Sequence, residues 1–96
     1  TPRVVVCNAD EGEPGTFKDR LLLRRHFDLV VEGMTVAAWG IGAALGFVYL
    51  RGEYRWLLDA MQETLARRRE QGLLGASICG RAGFDFDVEI HVGAGS

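Results

Sequence analysis

The sequence predicts an α/β fold built on a parallel sheet flanked by helices, and three observations carry that expectation. Runs rich in β-branched residues alternate with helix-length segments in the order β-α-α-β-α-β, the rhythm of right-handed crossovers between parallel strands. The middle strand run, "FVYLR", is apolar almost throughout, as a parallel strand covered on both faces is. The last run, "FDFDVEIHV", alternates strictly, with Phe84, Phe86, Val88, Ile90 and Val92 set against Asp85, Asp87, Glu89 and His91. One face of that strand must be wet or covered by something polar, which places it at an edge or beside further structure.

The first strand is "RVVVC", and it breaks into a loop that crowds Asp10, Glu11 and Glu13 into four positions. Thr16, with Asp19 three residues on, has a capping-box-like spacing, so a helix is expected over "TFKDRLLLRR" and a second over "FDLVVEGMTVAAWGIGAAL". Gly46 has the position and chemistry of a helix C-cap before the strand "FVYLRG". A third helix, "EYRWLLDAMQETLARRREQG", places Trp56, Leu57, Ala60, Met61 and Leu65 on one side. Arg67, Arg68 and Arg69 read as a solvated last turn that complements the helix C-terminus, with Gly72 closing it. The connection "LLGASICGRAG" then leads to the last strand.

With 96 residues, 48% hydrophobic and 25% charged, the chain is at most one small domain over residues 1–96. Its net charge of -2 leaves no electrostatic footprint for nucleic acid or an anionic membrane. Cys7 and Cys79 lie far apart, form no C-x-x-C pair, and read as small buried apolar residues of a protein in a reducing, cytoplasmic compartment. The N-terminus has no features of a signal peptide. A start inside a strand and an end in the loop "VGAGS" suggest a piece of a longer protein. Gly33 to Leu50 holds 18 residues without a charge, near the lower limit for a membrane span. Four glycines interrupt it, so a buried helix followed by a buried strand is the expectation.

In a parallel sheet ligands sit beyond the carboxyl ends of the strands, so the loops after Cys7 and after Val92 should share a functional edge. The stretch "GIGAALG" resembles a dinucleotide fingerprint but ends a helix instead of opening one, and close helix packing explains it better. The acids of "DEGE" are hard oxygen ligands, yet their spacing fits no EF-hand, and His26 and His91 lack local partners with metal-ligand spacing. Glycosidase chemistry would need two carboxyls flanking a sugar, which one loop without an aromatic platform does not supply. The same carboxylates can accept hydrogen bonds from sugar or polyol hydroxyls, as an acidic residue does toward ribose. They would repel phosphate, whose binding element must then lie elsewhere. Asn8 offers both donor and acceptor to an amide-like edge, and Gly12 and Gly15 permit close approach while Pro14 stiffens the loop. These features describe half of a nucleotide or flavin pocket, while helix capping would explain some of the acids with no ligand at all.

The run "CNADEGEPGTFKDR", together with "VEGM", "YLRGEY" and "FDFDVEIHVGAG", closely resembles the FMN-binding, NADH-oxidising flavoprotein subunit of respiratory complex I. The diaphorase subunits of NAD-reducing hydrogenases and NAD-dependent formate dehydrogenases share these features, and "GRAGFDFD" looks closer to that branch. The resemblance covers essentially the whole chain. It implies a Rossmann-like sheet in which Asn8, Asp10, Glu11 and Gly12 hold FMN while Glu13 lies on the side where NADH enters. It further implies hydride transfer between NAD(H) and FMN and single-electron transfer to iron–sulfur clusters. The parent's 4Fe–4S ligands would lie further on, so neither Cys7 nor Cys79 would be among them and the segment itself would bind no metal. The implied partners are a thioredoxin-like 2Fe–2S subunit and further subunits of complex I, hydrogenase or formate dehydrogenase. The family's "GRGGAGFPTG" segment, which cradles the flavin phosphate, would precede Thr1, and "YICGEE" would follow Gly95, where this chain has Ser96. The chain is therefore expected to be part of an FMN/NADH-binding domain, truncated at both ends. The alternative is a structural α/β segment of a larger complex whose acidic loop only caps a helix.

Overall fold

The computed structural model describes residues 3–8 and 20–93. Strand β1 (Val4–Asn8) is followed by helix α1 (Arg20–Ile41), strand β2 (Leu45–Leu50), a 3-10 segment (Gly52–Leu57) running into helix α2 (Leu58–Glu70), a 3-10 turn (Ile78–Gly80) and strand β3 (Asp87–Val92). The three strands form one parallel sheet in the order β1-β2-β3, a Rossmann-like partial α/β layer. Val4 stands opposite Leu45 and Leu45 opposite Asp87, so the register runs straight across the sheet.

Within the described residues one continuous helix, not two, leads into β2. Leu23, Phe27, Val31, Met34 and Ala38 recur at helical spacing along α1 and are all buried, so the apolar stripe passes without a break through the point where two helices were expected. Gly33 and Gly40 lie where an added Cβ would meet nothing within 4 Å, and neither interrupts the helix. Termination comes at Gly42, whose φ of 74° is left-handed, while the Ala43 N–H reaches back to the Ala38 carbonyl at 2.9 Å. That is a Schellman end, and it displaces the cap expected at Gly46. Gly46 instead lies inside β2, where an added Cβ would stand 2.8 Å from Met34 Cε and 2.9 Å from Phe86 Cζ. Its missing side chain lets α1 and Phe86 close onto the strand. The segment read as a buried helix is thus amphipathic: Met34, Thr35 and Ala38 are buried, whereas Val36 and Trp39 are exposed.

Two successive right-handed crossovers that move along the sheet in one direction put both helices on the same face. Gly46, Val48 and Leu50 of β2 and Val88 of β3 turn toward that face and are buried, with Val5, Cys7, Ile90 and Val92 packed around them. The opposite face is open among the described residues, with Val4 42%, Val6 58% and Tyr49 47% exposed. This corrects the expectation that β2 is covered on both sides, because the described chain supplies only one helical layer. The alternation read in the last strand holds, with Phe86, Val88, Ile90 and Val92 turned inward. Pairing of β3 begins only at Asp87, since the Phe86 N–H and carbonyl are engaged by Gly75 in an antiparallel bridge.

The basic run of α2 is not a free solvated turn. Arg68 is only 7% exposed, and its Nη1 donates to Asp28 Oδ1 of α1 at 3.2 Å, while Arg67 Nη2 donates to Asp28 Oδ2 at 2.9 Å. Arg69 Nε donates to both oxygens of Asp87 at 3.0 and 3.2 Å, tying the end of α2 to the start of β3. Trp56, expected on the apolar side, is 59% exposed, because the 3-10 segment rotates it off the stripe that Leu57, Ala60, Met61 and Leu65 bury.

Two pairs of substitutions test this packing. Gly46→Ala should destabilise the protein by about 1–3 kcal/mol through overpacking, whereas Gly33→Ala should be neutral or stabilising by up to about 1 kcal/mol, both read as shifts in denaturant midpoint. Asp28→Ala strips Arg68 of its counter-charge and should cost about 1–3 kcal/mol, against at most about 1 kcal/mol for Arg24→Ala, which breaks the more exposed pair with Glu63. Equal effects of the two would deny Asp28 its part in joining the helices.

Candidate functional site

Because all three strands run the same way, their carboxyl ends at Asn8, Leu50 and Val92 open onto one edge of the sheet. Asn8 pairs with Tyr49, and Tyr49 with His91, so these three residues form a single row across that edge. The chain leaves β1 at Asn8 and leaves β3 at Gly93, whose N–H donates to the Leu50 carbonyl at 2.8 Å. Both loops that the sequence singles out therefore begin on the same edge, with the end of β2 between them. Asp10, Glu11, Gly12 and Glu13 lie outside the described residues, as does the Thr16 cap. Of the predicted set, Asn8 is placed by its backbone, as the last residue of β1.

Near this edge the sequence reading missed an aromatic group. The His91 ring lies 5.1 Å from the Phe47 ring, edge to face, and 5.5 Å from the Tyr49 ring, and His91 Nε2 stands 3.3 Å from Glu89 Oε1. The signal was present in the alternation of "FDFDVEIHV", which puts His91 on the polar side of the strand, and in the matching parity of Phe47 and Tyr49 on β2. Helix α1 follows the β1 loop and the 3-10 segment follows β2, so both begin on the side of the sheet where the strands end. The amino ends of helices carry partial positive charge, which favours anionic groups there.

Cys7, one residue before Asn8, packs against the core, and burial pushes its thiol up from the ordinary value. Cys79 is exposed, contrary to the expectation that both cysteines are buried, because it occupies a left-handed turn with φ of 56° that leaves the core to Ile78. A separate cavity of about 410 Å³ lies at the opposite edge, between the end of α1 and the approach to β3, lined by Trp39, Gly42, Ala43, Phe84 and Asp85 among others. The Arg81 guanidinium sits 4.8 Å over the Trp39 ring at its rim. The stretch "GIGAALG" spans the end of α1 and the start of β2, with no helix beginning inside it, so it lacks the geometry of a dinucleotide loop. No described helix is long and apolar enough to cross a membrane.

A parallel α/β sheet whose strands all end at one edge has the architecture of the nucleotide-binding class of α/β proteins. More narrowly, the sequence pattern of the Nuo51 FMN-binding domain matches residues 1–96, and the chain belongs to that family. It is 58% identical over 94 residues to the NAD-reducing hydrogenase HoxS subunit alpha of Cupriavidus necator, covering 98% of this chain and 16% of that protein. It is 47% identical over 93 residues to an NADH-quinone oxidoreductase subunit of Escherichia coli, covering 97% of this chain and 21% of that one. The crystal structure of an NAD+-reducing NiFe hydrogenase in the H2-reduced state superposes with a TM-score of 0.69 at 43% identity, over 99% of this chain and 15% of that chain. The chain thus spans about a fifth or less of the length of these relatives. The higher identity to the hydrogenase protein than to the Escherichia coli one agrees with the reading of "GRAGFDFD".

The two thiols give a direct check on the orientation of β1. In the folded protein, iodoacetamide at neutral pH should modify Cys79 at least roughly tenfold faster than Cys7, as read by mass spectrometry of the two peptides. Faster labelling of Cys7 would mean that β1 turns the other face to the helices.

Proposed function

We propose that this chain is part of the FMN- and NADH-binding domain of a diaphorase subunit, which exchanges hydride between NAD(H) and FMN and sends electrons on to iron–sulfur clusters. The observation that supports this reading most is the match of the whole chain to a family of FMN-binding domains, in a fold whose two singled-out loops start from the same strand edge. What is described there fits a flavin: main-chain groups at the ends of parallel strands suit its polar ring edge, and Asn8 brings an amide to the end of β1, while the phosphate falls to the glycine-rich segment that the resemblance implies. When bound, FMN supplies the change from a hydride's two electrons to single-electron steps. The protein's share is binding and orientation.

In this reading Asn8, Asp10, Glu11 and Gly12 hold the flavin ring edge and ribityl chain, and Glu13 meets the nicotinamide nucleotide. The 4Fe–4S cluster belongs to a part of the polypeptide beyond these residues. A thioredoxin-like 2Fe–2S subunit and the remaining subunits of complex I, a hydrogenase or a formate dehydrogenase are its partners, in the cytoplasm. The relatives' own names, as subunits of larger enzymes, support a multi-subunit setting.

The acids separate in a simple experiment on the full-length protein. Asp10→Ala should deplete bound FMN, measured by flavin absorbance per polypeptide. Glu13→Gln should retain FMN and shift the KM for NADH by an amount corresponding to about 1.5–3 kcal/mol, typical of a hydrogen bond to a charged group. Loss of a nearby carboxylate should also raise the flavin midpoint potential, since it opposes added electron density. Unchanged flavin content, kinetics and potential in both variants would make the acidic loop a helix cap and refute the assignment.

A further inference from the structure

The cavity at the amino edge of the sheet is built from residues that the proposed chemistry leaves unused. Its floor is main chain and methyl groups, with Ala38 and Ala43 buried and Gly42 between them. The turn 81–84, closed by the Phe84 N–H on the Arg81 carbonyl at 3.1 Å, holds both of its ends against one indole. Phe84 meets Trp39 edge-on at 4.8 Å, and the Arg81 guanidinium lies 4.8 Å over the same ring. A stacked guanidinium keeps its N–H donors in its own plane, and among the described residues those of Arg81 have no acceptor. Asp85, which also lines the cavity, is engaged differently: its Oδ1 accepts the Ser77 N–H at 2.9 Å.

The remainder of the chain after Arg3 does not reach this cavity. Helix α1 is 22 residues long, so its end lies about 33 Å from its start. Residues 9–19 are tied to the far edge at both ends, and a chain of that length doubled back on itself extends roughly 20 Å at most. Residues 94–96 leave from the far edge too, and extend about 10 Å against the roughly 20 Å length of β3. On the outer side, Val36 lies one turn before Trp39, and the two are 67% and 54% exposed, so an apolar surface continues from the cavity along α1. Exposed Trp, Phe and Arg around one small cavity have the composition of the energetic centre of a protein interface. The relatives are named as subunits of larger enzymes, and the stretch "GRAGFDFD" that carries Arg81, Phe84 and Asp85 is the one that resembles the hydrogenase branch.

We propose that this cavity anchors an acidic segment of another subunit in the assembled enzyme. A bulky apolar side chain of that segment fills the space over Ala38 and Ala43, and an aspartate or glutamate beside it accepts paired hydrogen bonds from Arg81. Arg81 selects the acid, while the Asp85 carboxylate repels it from its own side and so fixes the direction of the segment. The negative end of α1 does not oppose an acid here, because Arg3 Nη1 already donates to the Ile41 carbonyl. The proposal rests on the reading of this protein as one subunit of a larger enzyme. It is independent of how flavin is held, since the cavity lies at the edge away from the strand ends.

The test compares the full-length protein alone with the assembled enzyme. Hydroxyl-radical footprinting of unaltered protein, read by mass spectrometry, should oxidise Trp39 and Phe84 readily in the isolated subunit and several-fold more slowly in the assembly. With a photo-crosslinking benzoylphenylalanine in place of Ala82, the crosslinked peptide should come from another subunit and hold an acidic residue beside a bulky apolar one. Arg81→Glu should weaken association with that subunit at least about tenfold, read by mass photometry on dilution, and changing the crosslinked acid to lysine should restore it. Flavin content and NADH oxidation with an artificial acceptor should be the same in Arg81→Glu as in the unaltered subunit, and a subunit that holds no flavin would count against the cofactor reading alone. Protection of Trp39 already in the isolated subunit would overturn the proposal, because the polypeptide before Arg3 would then fill the cavity. So would equal oxidation in the two states, a crosslink to a basic or wholly polar segment, or an Arg81→Glu enzyme that assembles as tightly as before. The footprint uses unaltered protein, so the outcome is decisive even where a variant does not fold.

Discussion

Parallel pairing on both sides of β2 is the constraint from which the rest of this structure follows. Strand β2 is the only described strand with two neighbours, and its main chain fixes β1 and β3 in register. Parallel neighbours cannot be joined by tight turns, so each connection must climb back over the sheet, and a helix is the compact way to do so. Two such returns in one direction stack α1 and α2 on one face, and that stacking creates the need for Gly46, for the Asp28 pair and for the Arg69 tie to Asp87. Parallel pairing also delivers all strand ends to one edge. The proximity of the loops after Asn8 and Val92 is thus a consequence of sheet topology and needs no direct contact between them.

The sequence disclosed most clearly what rests on periodicity. The inward set Phe86, Val88, Ile90 and Val92 could be read from strict alternation, and the apolar positions of α1 and α2 from helical spacing. What it disclosed poorly were features decided by tertiary contact. Gly42 and Gly46 both look like helix caps in a string of small residues; only the packing of Met34 and Phe86 shows that the second is a packing glycine. The arginine run of α2 has the composition of a solvated turn, and the carboxylate that claims Arg67 and Arg68 lies some forty residues earlier, at Asp28. Tyr49 and Phe47 were read as core because an apolar strand does not reveal that the described residues supply a helical layer on only one of its faces. Of the candidate site, the edge and the place of Asn8 on it were legible; the acids came from composition and from resemblance, and their geometry lies outside the described residues.

The two edges of the sheet differ in kind. At the carboxyl edge the main chain runs out into loops, and helices begin with their positive ends there. At the opposite edge α1 ends, and Arg3 Nη1 donates to the Ile41 carbonyl at 2.6 Å, so the negative end of the helix meets a guanidinium. Arg81 over Trp39, with Phe84 edge-on to the same indole at 4.8 Å, adds a cation–aromatic stack on that side. Arg3 thereby neutralises the helix end at the edge where no cofactor is expected.

The register of the sheet also bears on how the chain comes to be folded at all. Val4 must find Leu45, and Leu45 must find Asp87, so each pairing closes a loop of about forty residues before any ladder forms. Contacts of that range are slow to make compared with the local contacts of a helical bundle. During synthesis at about 5–20 residues per second, α1 would exist for seconds before its sheet does, with the apolar stripe from Leu23 to Ala38 facing water. The topology that gathers the strand ends at one edge therefore leaves the apolar stripe of α1 without its full sheet in the interval before β3 emerges from the ribosome.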